Sequence, residues 1–513
     1  MATVQELLAK SLTELHRIQG GGNLVVRSKD LTDTHRRRLQ KAGYLEEVMP
    51  GWYVSTSPSA QTGDTTPWFS AFWQFAAAYL GDRFGDEWVC SPEDSLRLHA
   101  DAAAVPRQLV VYTKAPANKL VSLPHATSIM PVQTPSQLPT GDGLVVRDGL
   151  RHYSLPLALT RVGEGFFRSS SKDALIALAG VRDTSEVLRP LLAYGKSVVA
   201  GRLAGAFRRA GRPDVADSIL STMRSIHEVR ESDPFQATSI PALVLNHATP
   251  PIVGRLLLAW SLHRDQVENS FPPAPGLPLD VDGYLADVEA VFVTDAYHSL
   301  SIEGYRVTPE LIERVRSGSW NPEQSDEDRQ NRDALAARGY WQAFQRVKAA
   351  VADILRGAPA AEVVRSSYRD WYREMFAPAV AAGTLRADAL AGYRNMPVYL
   401  RGSRHVPPRW ETLPDAMMAL LDCLGNEPSP TVRAVLGHWL FGYVHPYPDG
   451  NGRMARFLMN AMLASGGYPW TVIRQENRSE YMAALEAASV GDDLEPFARF
   501  IATAVNTGQK RSW

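Results

Sequence analysis

Apolar residues late in the chain fall on a helical face twice in succession. Val432, Val435, Leu436, Trp439, Leu440 and Tyr443 recur at three- and four-residue spacing, the period of a helix with one buried face. Ser429–Pro430 supplies its start, a capping serine followed by a proline in the first turn. Pro446 and Pro448 forbid an unbroken continuation, so residues 445–452 are expected to form a loop. A second helix begins near Asn451, turns Met454, Phe457, Leu458, Ala461 and Met462 inward, and stops at Gly466–Gly467.

The same reading divides the rest of the chain. Residues 1–56 predict a helix from Val4 to Ile18, a short strand, a basic helix ending at Gly43 and a hairpin turning at Pro50–Gly51, the order of a winged helix. Residues 57–170 mix one helical run, WFSAFWQFAAAYLGDRFG, with short strands such as QLVVYT and GLVVR, and read as an α+β unit. Residues 171–270 are helical and lead into the Pro-rich connector FPPAPGLPLDVDG. Nearly everything from 281 to 505 is helix. The expected fold is therefore multidomain, with a winged-helix plus α+β and helical module followed by an all-α domain.

Composition narrows the classes. With 513 residues, 45% hydrophobic, 21% charged and a net charge of -1, the chain is long enough for roughly three domains. It needs no disulfide or metal to staple its core. Near-neutral charge excludes a wholly basic nucleic-acid binder but allows a local basic patch. Two distant cysteines, Cys90 and Cys423, fit a reducing compartment. Without an apolar run long enough for a signal peptide or a membrane span, a cytoplasmic protein is expected.

The loop HPYPDGNGRMAR, His445 to Arg456, carries the chemistry. A helix start offers unpaired N–H groups and a positive dipole end. Gly450 and Gly452 let backbone approach a ligand closely, as in a phosphate nest. Arg453 and Arg456 share a helix face and can hold more phosphate oxygens. Asp449 would repel phosphate unless a cation such as Mg2+ lay between them. His445 is the group able to take a proton near neutral pH.

This stretch resembles the signature loop of Fic-domain proteins, His-x-Phe-x-Asp/Glu-Gly-Asn-Gly-Arg-x-x-Arg, over about Val281 to Ala504. The resemblance implies transfer of AMP from ATP to a Ser, Thr or Tyr hydroxyl of a protein, with release of pyrophosphate. It implies His445 as general base, Asp449 as the magnesium ligand, and Gly450, Asn451 and Gly452 as the phosphate seat. Arg453 and Arg456 would neutralise the outer phosphates. VYLRGSRHVPP, Val398 to Pro408, resembles the family's target-docking β-hairpin flap. Tyr447 replaces the usual Phe, and Ser489 stands where many relatives have Asn near the adenine, which leaves UMP or GMP transfer open.

In YHSLSIEGYRVTPE, Ser299 and Glu303 share a helix face and Gly304 is a plausible C-cap. A carboxylate there opposes the dipole. The motif resembles the Fic autoinhibitory Ser/Thr-x-x-x-Glu-Gly/Asn, on a helix at about 284–303, whose glutamate pairs with the second loop arginine, here Arg456. Near the N-terminus, Arg36, Arg37, Arg38 and Lys41 suggest phosphate contacts to double-stranded DNA. Residues 1 to about 230 resemble the AbiEi-type antitoxin and regulator family through HRRRLQKAGYLEEVMPGWYV, WVCSPEDSLRLHA with QLVVYT, and SVVAGRLAGAFRRAGRPDVADSIL. The resulting expectation is a self-inhibited protein adenylyltransferase. Its alternatives are a DNA-binding regulator that senses nucleotide and an enzyme that mainly removes AMP. A homo-oligomer is left open.

Overall fold

The computed structural model describes residues 3–20, 22–58, 65–102, 104–194, 197–236, 241, 245–320 and 332–509. The chain forms two compact units. One comprises Met1–Arg255 with Tyr399–Val406, the other Leu256–Val398 with Pro407–Trp513. The first contains strands and helices, and the second is helical. Among the described residues no helix is long and apolar enough to cross a membrane.

The first unit opens with helix Val4–Ile18, capped by a reciprocal Thr3–Glu6 box. Strand β1 (Val25–Arg27), helix Asp33–Lys41, and strands β2 (Leu45–Met49) and β3 (Trp52–Ser55) follow. The three strands form an antiparallel sheet in the order β1-β3-β2. Leu15, Val26, Leu39, Leu45 and Tyr53 make its core. Helix Thr66–Phe84 buries Trp68, Phe72 and Phe75 in a larger core shared with strands β4 (Trp88–Cys90) and β5 (Gln108–Thr113). Those strands continue into β6 (Val121–Leu123) and β7 (Thr127–Gln133), in the order β4-β5-β7-β6, with β5 and β7 parallel. Strands β8 (Leu144–Arg147) and β9 (Leu150–Tyr153) close a hairpin through Asp148 and Gly149, both at positive φ. That is the backbone a tight two-residue hairpin turn demands. Helices then run from Leu155 to Arg224.

The flap expected at Val398–Pro408 is not a hairpin. Residues 398–408 contain no paired strand of their own. His405 instead makes an isolated antiparallel bridge with Ala104, and Val105 N–H donates to the Arg404 carbonyl at 3.0 Å. Gly402 N–H donates to Thr65 Oγ1 at 2.9 Å. Two prolines close the segment at 407 and 408 and supply no N–H for a ladder. The extended backbone finds partners in the first unit rather than in itself.

In the second unit, helix Pro430–Val444 is buried on nearly every side, which its amphipathic reading understated. Helix Asn451–Ala464 packs beside it and is equally buried. Helices Arg332–Leu355 and Ala360–Ala381 form an antiparallel pair. Their backbones meet so closely that a Cβ on Gly339 would stand 1.8 Å from the Met375 carbonyl oxygen. Helix Val281–Ile302 begins three residues before the expected 284, at an Asp280 side chain that caps Gly283 N–H at 2.8 Å. It reaches Glu303 as its C-cap, with Gly304 at φ +87° ending the turn.

The four basic candidates at the N-terminus divide by environment. Arg38 donates to the Leu7 carbonyl and to Ser11 Oγ, both at 2.9 Å, and so ties its helix to Val4–Ile18. Arg36 pairs with Asp33 at 2.5 Å and lies over the Tyr53 ring. Arg37 and Lys41 are exposed. Arg38→Ala should therefore lower stability by about 1–2 kcal/mol, since it removes one bond to the Leu7 carbonyl and one to the buried Ser11 hydroxyl. Arg37→Ala should change it by less than about 0.5 kcal/mol. Denaturant midpoints of the two variants check this.

Candidate active site

The loop begins where the buried helix ends. His445 takes a left-handed conformation, φ 50° and ψ 59°, and its N–H still reaches the Phe441 carbonyl at 2.9 Å. Pro446 blocks further helix. A non-glycine residue in this region is strained, and the surroundings hold it there. Arg394 donates from Nε to the His445 carbonyl at 2.8 Å, from Nη1 to Met396 O and from Nη2 to Pro408 O. The Arg394 N–H also reaches Pro446 O at 2.9 Å. Arg394 is 51 positions upstream of His445, and no local motif announced it.

Asn451 is a brace rather than a phosphate ligand through its side chain. Its Oδ1 accepts from Tyr447 N–H at 3.0 Å and its Nδ2 donates to Tyr447 O at 2.7 Å. Both ends of the carboxamide are spent on closing the loop, and the residue is buried. Tyr447 anchors the turn by stacking on Tyr372 at 3.7 Å between ring centroids. Gly450 stands at φ +83°, and a Cβ there would meet the Phe376 ring at 2.8 Å.

His445 Nδ1 faces the Gly442 carbonyl at 3.3 Å. A carbonyl only accepts, so the ring proton belongs on Nδ1 and Nε2 is left as the proton acceptor. Burial lowers the His445 pKa to about 4, and Arg394 pushes the same way, while the Gly442 bond and the charges of Glu303 and Asp449 oppose it. Neutral imidazole is the form a general base requires.

The two loop arginines are nearly without solvent exposure. Arg453 lies between the Tyr305 and Phe376 rings, 5.2 Å from each centroid, with Asp449 at 3.3 Å. Its Nη2 is the atom of that ion pair, outside hydrogen-bond geometry, and its Nε has no hydrogen-bond partner. Arg456 donates from Nε to Ser299 Oγ at 2.8 Å and from Nη2 to Ser299 O at 3.0 Å. Nη2 also meets Glu303 Oε1 at 2.7 Å, and Nη1 is buried without a partner. Burial works against the Arg456 charge, but Glu303 outweighs it and holds the guanidinium above its usual range. Unsatisfied buried guanidinium nitrogens are costly and mark a place for an anion.

Glu303 already stands in that place. A Cβ on Gly452 would lie 2.3 Å from Glu303 Oε1 and 3.2 Å from Arg456 Nη1. The carboxylate thus rests against the first turn of helix Asn451–Ala464, where the dipole favours negative charge. Its site at the end of its own helix is unfavourable, and Arg456 and the second helix start offset that. Arg478 Nε donates to Ile302 O at 2.9 Å, satisfying one terminal carbonyl.

Asp449 is the exposed carboxylate of the loop, 57% accessible at its side chain. Among the described residues no cluster of three or more His, Cys, Asp or Glu could hold a metal. The donor set fits Mg2+ only as an ion that takes one carboxylate and draws its other ligands from phosphates and water, which is its habit. Ser489, expected near a base, accepts from Trp439 Nε1 at 3.0 Å and is tied to the core. A cavity of ≈ 910 Å³ lined by Asp287, Val291, Arg474 and Phe500 opens on another face of helix Val281–Ile302. No loop residue lines it, so it is not the site that the motif builds.

Sequence reading missed Asp295 and Tyr340 as well. Asp295 is buried and accepts from the Tyr340 hydroxyl at 2.7 Å. Burial raises its pKa to about 6, against Tyr340, Trp470 and Arg456.

Residues 365–463 match the model of the Fic/DOC family. A protein of Nematostella vectensis named protein adenylyltransferase Fic is 43% identical over 114 residues, 21% of this chain and 26% of that protein. Its namesake in Drosophila willistoni is 41% identical over 114 residues, 21% of this chain and 22% of that protein. The matched part thus spans about a quarter of these relatives' length. Among solved structures, Fic-1 (residues 134–508) of C. elegans aligns with a TM-score of 0.36 at 18% identity, covering 67% of this chain and 96% of that one. A Fic-domain signaling protein of Bacteroides thetaiotaomicron aligns with a TM-score of 0.35 at 20% identity, covering 50% and 94%. The C-terminal part of the chain carries a Fic domain.

The His445 assignment has a direct check. Its imidazole should titrate near 4 by NMR, well below the ordinary value of about 6.5. The unfolded chain then takes up a proton between those values that the folded chain refuses. Stability should fall as pH drops through that window. His445→Gln should remove this part of the pH dependence.

Proposed function

We propose that this Fic domain transfers AMP from ATP to a hydroxyl of a protein, and that helix Val281–Ile302 restrains it through Glu303. The observation that carries the reading is a proton-accepting Nε2 on His445 beside a helix start with two buried, incompletely paired arginines. The names of the relatives support the same activity. In the reaction, the target oxygen bonds to the α-phosphorus and its proton passes to His445 Nε2. The bond from the α-phosphorus to the bridging oxygen breaks, and pyrophosphate leaves. The N–H groups of the helix start, Arg453 and Arg456 take up the charge that develops on the leaving group. Asp449 would hold Mg2+, which when bound supplies further neutralisation of the phosphates.

Arg456 cannot serve Glu303 and an outer phosphate fully at once, since both claim the space over Gly452. A bias of about 2.7 kcal/mol toward the paired state would leave roughly one molecule in a hundred competent. Glu303→Gly should then raise self-modification by about 10- to 100-fold with labelled ATP and magnesium, and adding His445→Asn, which keeps the left-handed turn, should abolish it. Equal rates for wild type and Glu303→Gly would overturn the restraint. Absence of covalent label from every variant would overturn the transfer.

A second reading, removal of AMP, draws support from Glu303 itself. Arg456 engages its Oε1 while the side chain stays 29% exposed, so it can orient water as well as exclude phosphate. Release of AMP from a modified protein that is lost in Glu303→Gly would favour it.

We propose further that the N-terminal helix, strand, helix and hairpin act as a winged helix on double-stranded DNA, through Arg37 and Lys41. These are the two exposed members of the basic cluster. The double alanine variant should flatten the log–log salt slope by about 1.8, or about 0.9 per lost phosphate contact. A wild type without salt-dependent DNA binding would exclude the role.

A further inference from the structure

Arg456 is held by more than its glutamate. Of its three hydrogen bonds, two go to Ser299, one to Oγ and one to the main-chain carbonyl. Only the third goes to Glu303. Removing Glu303 therefore leaves a clamp on the Nε edge of the guanidinium. The partnerless Nη1 lies 3.2 Å from where a Gly452 Cβ would be, on the side of the phosphate seat.

The clamp continues inward as a buried chain. The Ser299 hydroxyl stands as a donor toward the Tyr340 oxygen, outside strict hydrogen-bond geometry, and favours its ionised form. Tyr340 in turn donates to Asp295 Oδ2 at 2.7 Å. Trp470 Nε1 stands as a second donor toward Asp295, outside strict hydrogen-bond geometry. A carboxylate accepts and never donates. It draws the Tyr340 proton to itself, leaves the Tyr340 oxygen to accept from Ser299, and so turns a Ser299 lone pair toward Arg456 Nε. Asp295, Ser299 and Glu303 lie four residues apart on one helix, so their side chains share a face. Tyr340 comes from helix Arg332–Leu355.

We propose that Asp295 is a positioning residue for Arg456, fixing through Tyr340 and Ser299 the edge of the guanidinium that faces the β- and γ-phosphates. On this account helix Val281–Ile302 has two opposed roles. Glu303 withholds Arg456 from phosphate, and Asp295 keeps it aimed once Glu303 has moved away. The helix is a component of the productive seat as well as a restraint upon it. The inference rests on the reading of the loop as a nucleotide site.

The test is made in the full chain carrying Glu303→Gly and His445→Asn, which keeps the turn at 445 and is expected to bind nucleotide without turnover. Asp295→Asn puts an amide where both neighbours are donors. It should weaken ATP binding by roughly tenfold, the worth of one charge-assisted hydrogen bond. AMP, which lacks the outer phosphates, should bind within a factor of about two of the parent. Calorimetry with each nucleotide separates the cases. Equal loss for ATP and AMP would mean a merely structural residue, and unchanged ATP affinity would overturn the proposal. Tyr340→Phe keeps the ring that packs 4.8 Å from Phe457 and removes only the hydroxyl. It should reproduce the ATP-selective loss if Asp295→Asn fails to fold. Failure of the parent to bind either nucleotide would instead sink the reading of the loop. The hydrogen exchange of Arg456 Nε–H, followed by NMR without nucleotide, then decides alone. A rise of about tenfold in Asp295→Asn supports the clamp, and no change refutes it.

Discussion

Two guanidinium groups buried at the start of one helix govern the second unit. Arg453 and Arg456 are taken out of water, where a charge is tolerated only if paired. The protein meets part of that demand with rings, part with Ser299 and Glu303, and leaves Nη1 of Arg456 and two nitrogens of Arg453 without hydrogen bonds. The close approach at Gly452 and the seating of the Glu303 end of helix Val281–Ile302 go with this shortfall.

What was legible in the sequence was what is local. Ser429–Pro430, the two prolines of the loop and the Gly466–Gly467 stop fix two helices and a turn without reference to anything distant, and the structure places them there. Glu303 and Gly304 were readable as a helix end because a left-handed glycine is a local device. Arg394, Asp295 and Tyr340 were not readable. Each works through partners that adjoin it only in the folded chain, and a lone Arg, Asp or Tyr in a helical stretch carries no spacing signal. Asn451 was found as a loop residue, but the work of its side chain was not. Its type and position suit a phosphate loop, whereas the two bonds to Tyr447 that occupy its side chain depend on where the chain turns.

The same limit appears in the first unit. RRR at 36–38 reads as one basic surface, yet a helix spreads consecutive residues around its axis, about 100° apart. Arg38 turns toward helix Val4–Ile18 and Arg37 toward solvent. The flap failed for a related reason. A strand-like segment declares that it needs a partner but not which one, and residues 399–406 group with the first unit.

His445 occupies a backbone region that side chains other than Gly, Asn and Asp rarely enter. On the proposed reading, position 445 is therefore constrained twice, once by chemistry and once by the shape of the chain. Few residue types satisfy both demands, and an alanine there confounds them by altering loop geometry along with basicity. Asparagine keeps the turn and discards the base, so it is the cleaner probe of the imidazole. It is also the substitution by which such a chain could lose catalysis while keeping its fold and its anion seat. A Fic loop with asparagine in this place would accordingly be read as a retained binding module rather than as a collapsed enzyme.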